Sequence, residues 1–299
     1  MSPSAPATAA LITLLASCAV RAEGVLDDVL AADRAFAARA ADSGTQAAFV
    51  EFLASDAVLF RPSVVNGQEW LRTHEEATGR LEWSPATGFA SCDGQSAVTL
   101  GPWTYRQDAS SESGFYLTVW RKSASGAWEV VLDHGVDGPP GAPRPGNPAA
   151  FPMTRPAAAA GTCAPGGHAD GLASADATLD AAIEKKGVDA ALRRVLVPGA
   201  LELRDGHAPA PPSTDWPRDD ADLGAPLDAT TRGVATAPGS DLGYTYGELA
   251  RRGQGKASGE VRAVFLRIWV RDGKSWRVAA DMLTPLPVAV APTRDSVIR

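Results

Sequence analysis

Apolar positions in the first part of the chain recur at three- and four-residue intervals, the period of one face of an α-helix. They are Leu26, Val29, Leu30, Phe36 and Ala37. Gly44 is expected to end this helix, since glycine commonly terminates helices. The segments AAFVEFLA (47–54) and AVLF (57–60) then predict a second, short helix and a first strand.

The later segments alternate as strands do. In residues 128–133, alternation predicts that Trp128, Val130 and Leu132 point to one side of a strand. Glu129, Val131 and Asp133 are then expected to point to the other side. Ser125-Gly126 and Asp272-Gly273 favour tight turns between neighbouring strands. Helices followed by a run of antiparallel strands are typical of an α+β fold, because a doubly wound sheet alternates strand and helix.

The chain also repeats itself. Residues 33–61 align without a gap with residues 176–204, at a constant offset of 143. Later landmarks repeat at offsets of 146 to 149, namely Gly101 with Gly247, Trp120 with Trp269, and Trp128-x4-Asp133 with Trp276-x4-Asp281. A fixed period of this kind indicates repeated structural units. We therefore predict two copies of one domain, over residues 23–136 and 170–287. A Pro/Gly-rich linker over 137–169 joins them, and a tail follows over 288–299.

Within the second copy, Pro198-Gly199 is expected to mark the break between helix and strand.

The N-terminus has the pattern of an export signal. Residues 9–20 form an apolar run that is too short for a membrane-spanning helix and long enough for the core of a signal peptide. Residues 1–22 would be removed by cleavage after Ala22, or processing before Cys18 would leave a lipid anchor on that cysteine. Both routes predict a protein exported to the periplasm or beyond, and no other segment is long enough to span a membrane.

Composition and motifs exclude several classes of function. The chain has 299 residues, is 45% hydrophobic and carries a net charge of −7, which excludes global disorder and argues against nucleic-acid binding. Signatures of phosphate loops, serine hydrolases and zinc enzymes do not occur in the sequence, so we expect neither metal nor cofactor. In an oxidising compartment Cys92 and Cys163 would form a disulfide; two free thiols are the alternative.

The segments AADRAF, AAFVEFLASDAVLFRP, LEWSP and WEVVLDHG together resemble the nuclear transport factor 2-like superfamily, and within it the SnoaL-like branch. The resemblance covers residues 25–136 well and residues 171–286 more weakly. It implies two cone-shaped α+β domains, each with a strongly bent antiparallel sheet wrapped around helices and a pocket between them. Members of this superfamily often pair through their sheets, which suggests an internal pseudo-dimer.

Four acidic residues are the main candidates for chemistry. Asp33 and Asp176 lie on the apolar stripes of their helices, where a carboxylate needs a partner. We expect ion pairs with Arg61 and Arg204, which repeat at the same offset; a pocket acid is the alternative.

Asp133 and Asp281 close the last strands, where a carboxylate with a raised pKa can act as a base. His134 follows Asp133, whereas Met282 stands at its place in the second copy. Asp133 and His134 are accordingly the catalytic candidates, with hydrogen bonding at the strand end as the alternative.

Several aromatic residues are candidates for lining an apolar pocket and presenting polar groups to a ligand. They are Trp83, Trp103, Tyr105, Tyr116, Tyr244 and Tyr246, beside the acids Asp33, Asp176 and Asp281. The sequence favours an exported bacterial protein that binds a small apolar or amphipathic ligand or serves as an envelope accessory protein. The alternatives are a SnoaL- or ketosteroid-isomerase-like enzyme and a purely structural interaction module.

Overall fold

The computed structural model describes residues 8–75, 78–146, 171–211, 219–253 and 259–287, and for residues 8–23 it describes the backbone only. The N-terminal half contains α1 (Thr8–Ser43), α2 (Thr45–Phe52), β1 (Leu53–Phe60), β2 (Val64–Asn66), α3 (Gly67–Thr73), β3 (Arg80–Trp83), β4 (Thr87–Ala90), β5 (Ser96–Gln107), β6 (Ser110–Lys122) and β7 (Trp128–Asp137). The C-terminal half contains α4 (Gly171–Lys186), α5 (Val188–Leu192), β8 (Leu196–Arg204), α6 (Asp219–Leu223), β9 (Leu227–Thr236), β10 (Leu242–Arg251), β11 (Val261–Asp272) and β12 (Ser275–Pro285).

Each half has its own sheet. The N-terminal sheet has the order β2-β1-β7-β6-β5-β3, with β4 also pairing with β5, and the C-terminal sheet has the order β8-β12-β11-β10-β9. The pairs β1/β7 and β8/β12 are parallel, and the other pairs are antiparallel. Two helices precede the first strand in each half and most strand pairs are antiparallel, so the α+β prediction is confirmed.

The predicted helix boundary at Gly44 is also found. Helix α1 ends at Ser43, and Gly44 adopts a φ of 92°, a left-handed conformation that glycine tolerates at no steric cost. Gly187 has a φ of 84° at the same point of the C-terminal half, after α4. The predicted break at Pro198-Gly199 is wrong, because both residues lie inside β8. Their strand loses register with β12 there, as β1 does with β7 after Leu53.

Landmarks related by the repeat occupy matching places in the two sheets. Thr118 lies opposite Asp133 in the β6/β7 pair, and Arg267 lies opposite Asp281 in the β11/β12 pair. Likewise Gly101 lies opposite Tyr116, while Gly247 lies opposite Phe265. Residues at equivalent places in the two sheets can therefore be compared directly.

The predicted faces of β7 need one correction. Val119 pairs with Leu132 and Trp120 pairs with Val130, so Val131 has no partner and forms a β-bulge. Because paired residues share a face, Val130 and Leu132 point to opposite sides of the sheet, not to the same side. The bulge turns Asp133 toward the side that carries Trp120, the side on which α1 packs.

The two sheets contact each other through their other faces. Side chains from both halves join one buried apolar cluster, with Leu117, Val119, Leu132, Leu201, Leu203, Val264, Leu266, Ile268 and Met282 among its members. The interior of the C-terminal half forms a separate cluster around Trp269 and Phe265. Polar contacts add to the interface, since Asp241 accepts a hydrogen bond from the Cys92 backbone N–H at 2.8 Å.

Some predictions fall wholly or partly outside the described residues. Cys92 is disulfide-bonded, but Cys163 lies outside the described residues, so the Cys92–Cys163 pairing stays a prediction. The same holds for most of the linker, for the tail over 288–299 and for the Cys18 side chain. In the part of the chain that the structure describes, no helix is long and apolar enough to cross a membrane.

Candidate functional site

A cavity of about 360 Å³ opens in the N-terminal half, between α1, α2 and the sheet. Its inner wall consists of the buried side chains of Phe36, Phe49, Trp83 and Tyr116 together with Asp133. Its rim includes the exposed residues Arg61, Pro62, Glu112 and Pro285. An apolar cavity with a few convergent polar groups is the usual form of a small-molecule site.

Asp33 lies directly behind the inner wall, where it is completely buried. Trp83 Nε1 donates to its Oδ1 at 2.9 Å, and the Tyr116 hydroxyl donates to its Oδ2 at 2.8 Å. Burial raises the pKa of Asp33 to about 6, while hydrogen bonds from Thr99, Tyr116 and Trp83 hold it lower than burial alone would. At neutral pH this residue is an ionised acceptor that fixes two aromatic side chains of the cavity.

Asp133 faces the cavity itself, as a result of the bulge in β7. Its Oδ1 accepts a hydrogen bond from the Thr118 hydroxyl at 2.5 Å. Within the described part of the chain, nothing donates to its Oδ2. Burial raises the pKa of Asp133, and Thr118 and Arg61 oppose that rise. The cavity thus contains a carboxylate with one oxygen available to a ligand.

His134 points to the opposite side of the strand, as consecutive strand residues do. Its ring stacks on Phe60 with centroids 4.0 Å apart, and its Nε2 lies 2.9 Å from the Thr284 hydroxyl of the C-terminal half. Burial, with a contribution from Arg61, lowers its pKa to about 3, so the ring is neutral. The structure brings His134 to the rim between the halves, and no hydrogen bond joins it to Asp133.

Trp103 and Tyr105 complete the aromatic wall on β5. Trp103 Nε1 donates to the Val136 carbonyl oxygen at 3.2 Å. A Cβ atom at Gly114 would lie 2.7 Å from this indole, so the glycine provides room for it. The Tyr105 hydroxyl lies 3.5 Å from Gln107 Oε1 and borders a smaller neighbouring pocket of about 200 Å³ as well.

The C-terminal half contributes part of the rim. Thr284, Pro285 and Leu286 line the cavity at the end of β12. The Leu286 backbone N–H donates to the Arg262 carbonyl oxygen at 2.7 Å, which ties this segment to β11. The cavity is therefore bounded by both halves of the chain.

The equivalent space in the C-terminal half is filled by Arg267. Its guanidinium lies 2.8 Å from Asp176 and 2.9 Å from Asp180, and it covers the Phe265 ring at 3.8 Å. The side chain is 1% exposed. Because Arg267 corresponds to Thr118 and Phe265 to Tyr116, the arginine occupies the place that stays open in the N-terminal half.

A second buried arginine extends this network. Arg204 Nη2 lies 2.7 Å from Asp281 and 2.9 Å from Asp219, and Glu202 is 3.8 Å away. Burial raises the pKa of Glu202 to about 7. These groups compensate one another, as buried charges must. The polar interior of the C-terminal half is consequently occupied by its own side chains.

The expected pairings of Asp33 with Arg61 and of Asp176 with Arg204 are wrong. Asp33 is satisfied by neutral donors, and Asp176 pairs with Arg267. Arg61 lies instead at the rim, 5.5 Å over the Trp70 ring, with Nη1 donating to the Phe60 carbonyl oxygen. The repeat offset identified buried charged positions that correspond in the two halves. It did not indicate which side chains contact each other in the folded chain.

Tyr244 and Tyr246 do not face the interior of the C-terminal half. Their rings are 6.4 Å apart, and Tyr246 meets Phe60 edge-on at 6.3 Å in the contact between the sheets. Sequence reasoning also missed Thr118 and Arg267, which determine whether each interior is open. The sequence does carry a signal for them, since the position opposite the repeated aspartate is Thr118 in the first copy and Arg267 in the second.

Trp120 and Trp269, which repeat along the chain, lie in the interiors of their halves. Both are fully buried. Trp120 Nε1 donates to Thr99 Oγ1 at 2.8 Å, and Trp269 Nε1 donates to Thr245 Oγ1 at 2.9 Å.

Among the described residues, no group of three or more His, Cys, Asp or Glu side chains is arranged to hold a metal ion.

We expect Asp33→Asn to change how stability depends on pH. Between pH 3.8 and about 6 the folded protein keeps a proton that the unfolded chain has lost, so the free energy of unfolding falls as pH rises. Above pH 6 this penalty reaches about 3 kcal/mol. The asparagine cannot ionise, so the stability of the variant relative to wild type should improve by up to that amount from pH 4 to pH 8, measured by urea unfolding. A pH-independent difference would contradict the assignment.

Comparison with known proteins returns similar folds. No family model matches the chain, and no curated protein matches it. Solved structures that resemble it include an NTF2-like protein of unknown function from Shewanella oneidensis MR-1, with 17% identity, a TM-score of 0.31, and coverage of 36% of this chain and 96% of that chain.

Two mycobacterial structures also resemble the chain. A Mycobacterium tuberculosis protein in complex with estradiol-17β-hemisuccinate and a Δ5-3-ketosteroid isomerase from Mycobacterium sp. each show 14% identity and a TM-score of 0.29. Each match covers 37% of this chain and 92% of the other. The structural neighbours thus include NTF2-like proteins, the superfamily that the sequence resembles.

Proposed function

We propose that this protein binds a small, largely apolar ligand in the cavity of its N-terminal half. The observation that carries the proposal is the 360 Å³ cavity with aromatic walls and an Asp133 oxygen open to it. Burial of a ligand against such walls contributes roughly 25 cal/mol per Å² of apolar surface removed from water, so two or three fused rings suffice for useful affinity. The carboxylate orients the ligand.

We further infer that the two halves are duplicated domains that pair through their sheets, one specialised for binding and the other for support. The matching register of Thr118 and Arg267 opposite Asp133 and Asp281 supports this inference. So does the shared apolar cluster between the sheets. The C-terminal half then acts as a permanent wall, since Thr284 and Leu286 close one side of the cavity.

A thermal-shift screen with steroids, polyketide-like acids and lipids tests the proposal. A ligand that binds only the folded state stabilises it by about 2.7 kcal/mol at one hundred times its dissociation constant. We expect at least one class to raise the melting temperature in a concentration-dependent manner. No shift across the panel at millimolar ligand would contradict a binding function.

A second candidate is acid-base catalysis by Asp133. Its raised pKa and open oxygen would allow it to accept a proton from a bound substrate. Ligands from the screen can be incubated in D2O with the wild type and with Asp133→Asn. Deuterium uptake at a carbon of the ligand, lost in the variant, would establish catalysis, whereas binding without exchange would support a binding protein only.

We also propose that the protein is exported, on the basis of the apolar run over residues 9–20. Mass spectrometry of the mature protein from fractionated bacterial cells tests this. Cleavage after Ala22 or a lipidated Cys18 would support export by either route, and an intact N-terminus in the cytoplasmic fraction would contradict it.

A further inference from the structure

The inner wall of the cavity has its hydrogen-bond donors already committed. Trp83 Nε1 and the Tyr116 hydroxyl both donate to Asp33, and Trp103 Nε1 donates to the Val136 carbonyl oxygen. An indole has one N–H and a phenol one O–H. Trp83 and Tyr116 therefore have no proton left for a ligand while Asp33 is ionised, because a carboxylate only accepts. Trp103 has none because the Val136 carbonyl oxygen holds its N–H.

The acceptors of the same wall remain available. Asp133 Oδ2 accepts no hydrogen bond from the described part of the chain, while Oδ1 is held by Thr118. The Tyr116 oxygen keeps a lone pair after donating its proton. Burial and the Asp33 carboxylate raise the pKa of Tyr116 well above its usual value, so its proton stays in place. Two further donors line the cavity outside the inner wall. The Arg61 guanidinium lies at the exposed rim, and the Tyr105 hydroxyl lies 3.5 Å from Gln107 Oε1, where it also borders the smaller neighbouring pocket.

From this inventory we infer that the cavity selects ligands with a hydrogen-bond donor, a hydroxyl or an amine, at the end that enters first. Such a group meets Asp133 and Tyr116, whereas a carbonyl or ether at the same place would bring a second acceptor against them without a proton. The inference rests on the proposed binding function and adds the chemical class of the ligand to it.

The committed proton on Tyr116 also limits the chemistry. Catalysis that forms an oxyanion requires donors aimed at the developing negative charge. The inner wall supplies acceptors instead. It therefore favours binding of a ligand that carries a hydrogen-bond donor, and it does not favour stabilisation of an oxyanion. The Asp33 carboxylate, although it is outside the cavity, thus determines which ligand chemistry the cavity accepts.

A matched series of two-ring ligands tests this inference by isothermal titration calorimetry at pH 7.5. Naphthalene has no polar group, 2-naphthol offers a donor, and 2-methoxynaphthalene and 2-acetylnaphthalene offer only acceptors. We expect 2-naphthol to bind at least tenfold more tightly than either acceptor. Equal affinities for naphthalene and all derivatives would overturn the inference and leave the binding function intact. No binding by any of them would contradict both.

Two variants assign the effect to residues. Asp133→Asn keeps an acceptor for Thr118 and turns an amide N–H toward the cavity, so the preference should shift by at least tenfold toward 2-acetylnaphthalene. Asp33→Asn can donate to Tyr116 and release the tyrosine proton to the cavity, which should weaken the preference for 2-naphthol. Asp56→Asn is the control, because Asp56 pairs with Arg121 on the surface and its side chain is 63% exposed. An unchanged order in both cavity variants would overturn the inference.

Discussion

Arg267→Met should destabilise the C-terminal half by about 3–5 kcal/mol, because removal of one partner leaves buried charges without compensation. The arginine is the cation for Asp176 and Asp180, at 2.8 and 2.9 Å, and lies 3.7 Å from Asp281. Methionine keeps much of the apolar volume and so isolates the effect of the charge. Urea unfolding monitored by circular dichroism measures the loss.

The matched control is Arg252→Met. Arg252 pairs with Asp228 on the surface, where both side chains are about 40% exposed, so water screens this pair and its loss should cost far less than the loss of Arg267. Equal losses in the two variants would show that Arg267 does not neutralise this cluster.

Thr118→Arg should abolish ligand binding, because a filled cavity excludes the ligand. We expect the affinity to fall by roughly a hundredfold or more. The substitution places in the N-terminal half the residue that occupies the C-terminal interior. By analogy with Arg267 over Phe265, the new guanidinium would cover Tyr116 and approach Asp33 and Asp133. Calorimetry with any ligand from the thermal-shift screen measures the loss.

Thr118→Val is the control for this substitution, because it removes the hydroxyl without filling the cavity. Its affinity should stay within about tenfold of wild type, the cost of one altered hydrogen bond. In the arginine variant the nearby cation should also lower the pKa of Asp33 and reduce the dependence of stability on pH between 4 and 8. Retained binding in a folded Thr118→Arg protein would place the ligand elsewhere.

The elements that depend on local patterns were predictable from the sequence. The helix ending at Gly44, the short helix after it and the turn at Asp272-Gly273 follow from apolar spacing and glycine chemistry. The α+β class followed from their order. Gly187 repeats the role of Gly44, which the offset of 143 also indicated.

The candidate site was predictable only in part. Asp133, Trp83, Trp103, Tyr105 and Tyr116 do line one cavity. The side that Asp133 faces depends on the bulge, which strict alternation cannot reveal. The partners of buried charges depend on distances across the fold, and for that reason the arginine pairings were wrong.

On the proposed duplication, the covalent link between the halves allows positions 118 and 267 to differ. In an assembly of two identical chains every substitution appears twice, so an arginine that strengthens one interior would obstruct the other as well. A single polypeptide is free of that symmetry constraint. One interior can therefore accumulate charge pairs while the other keeps its open volume for the ligand that we propose.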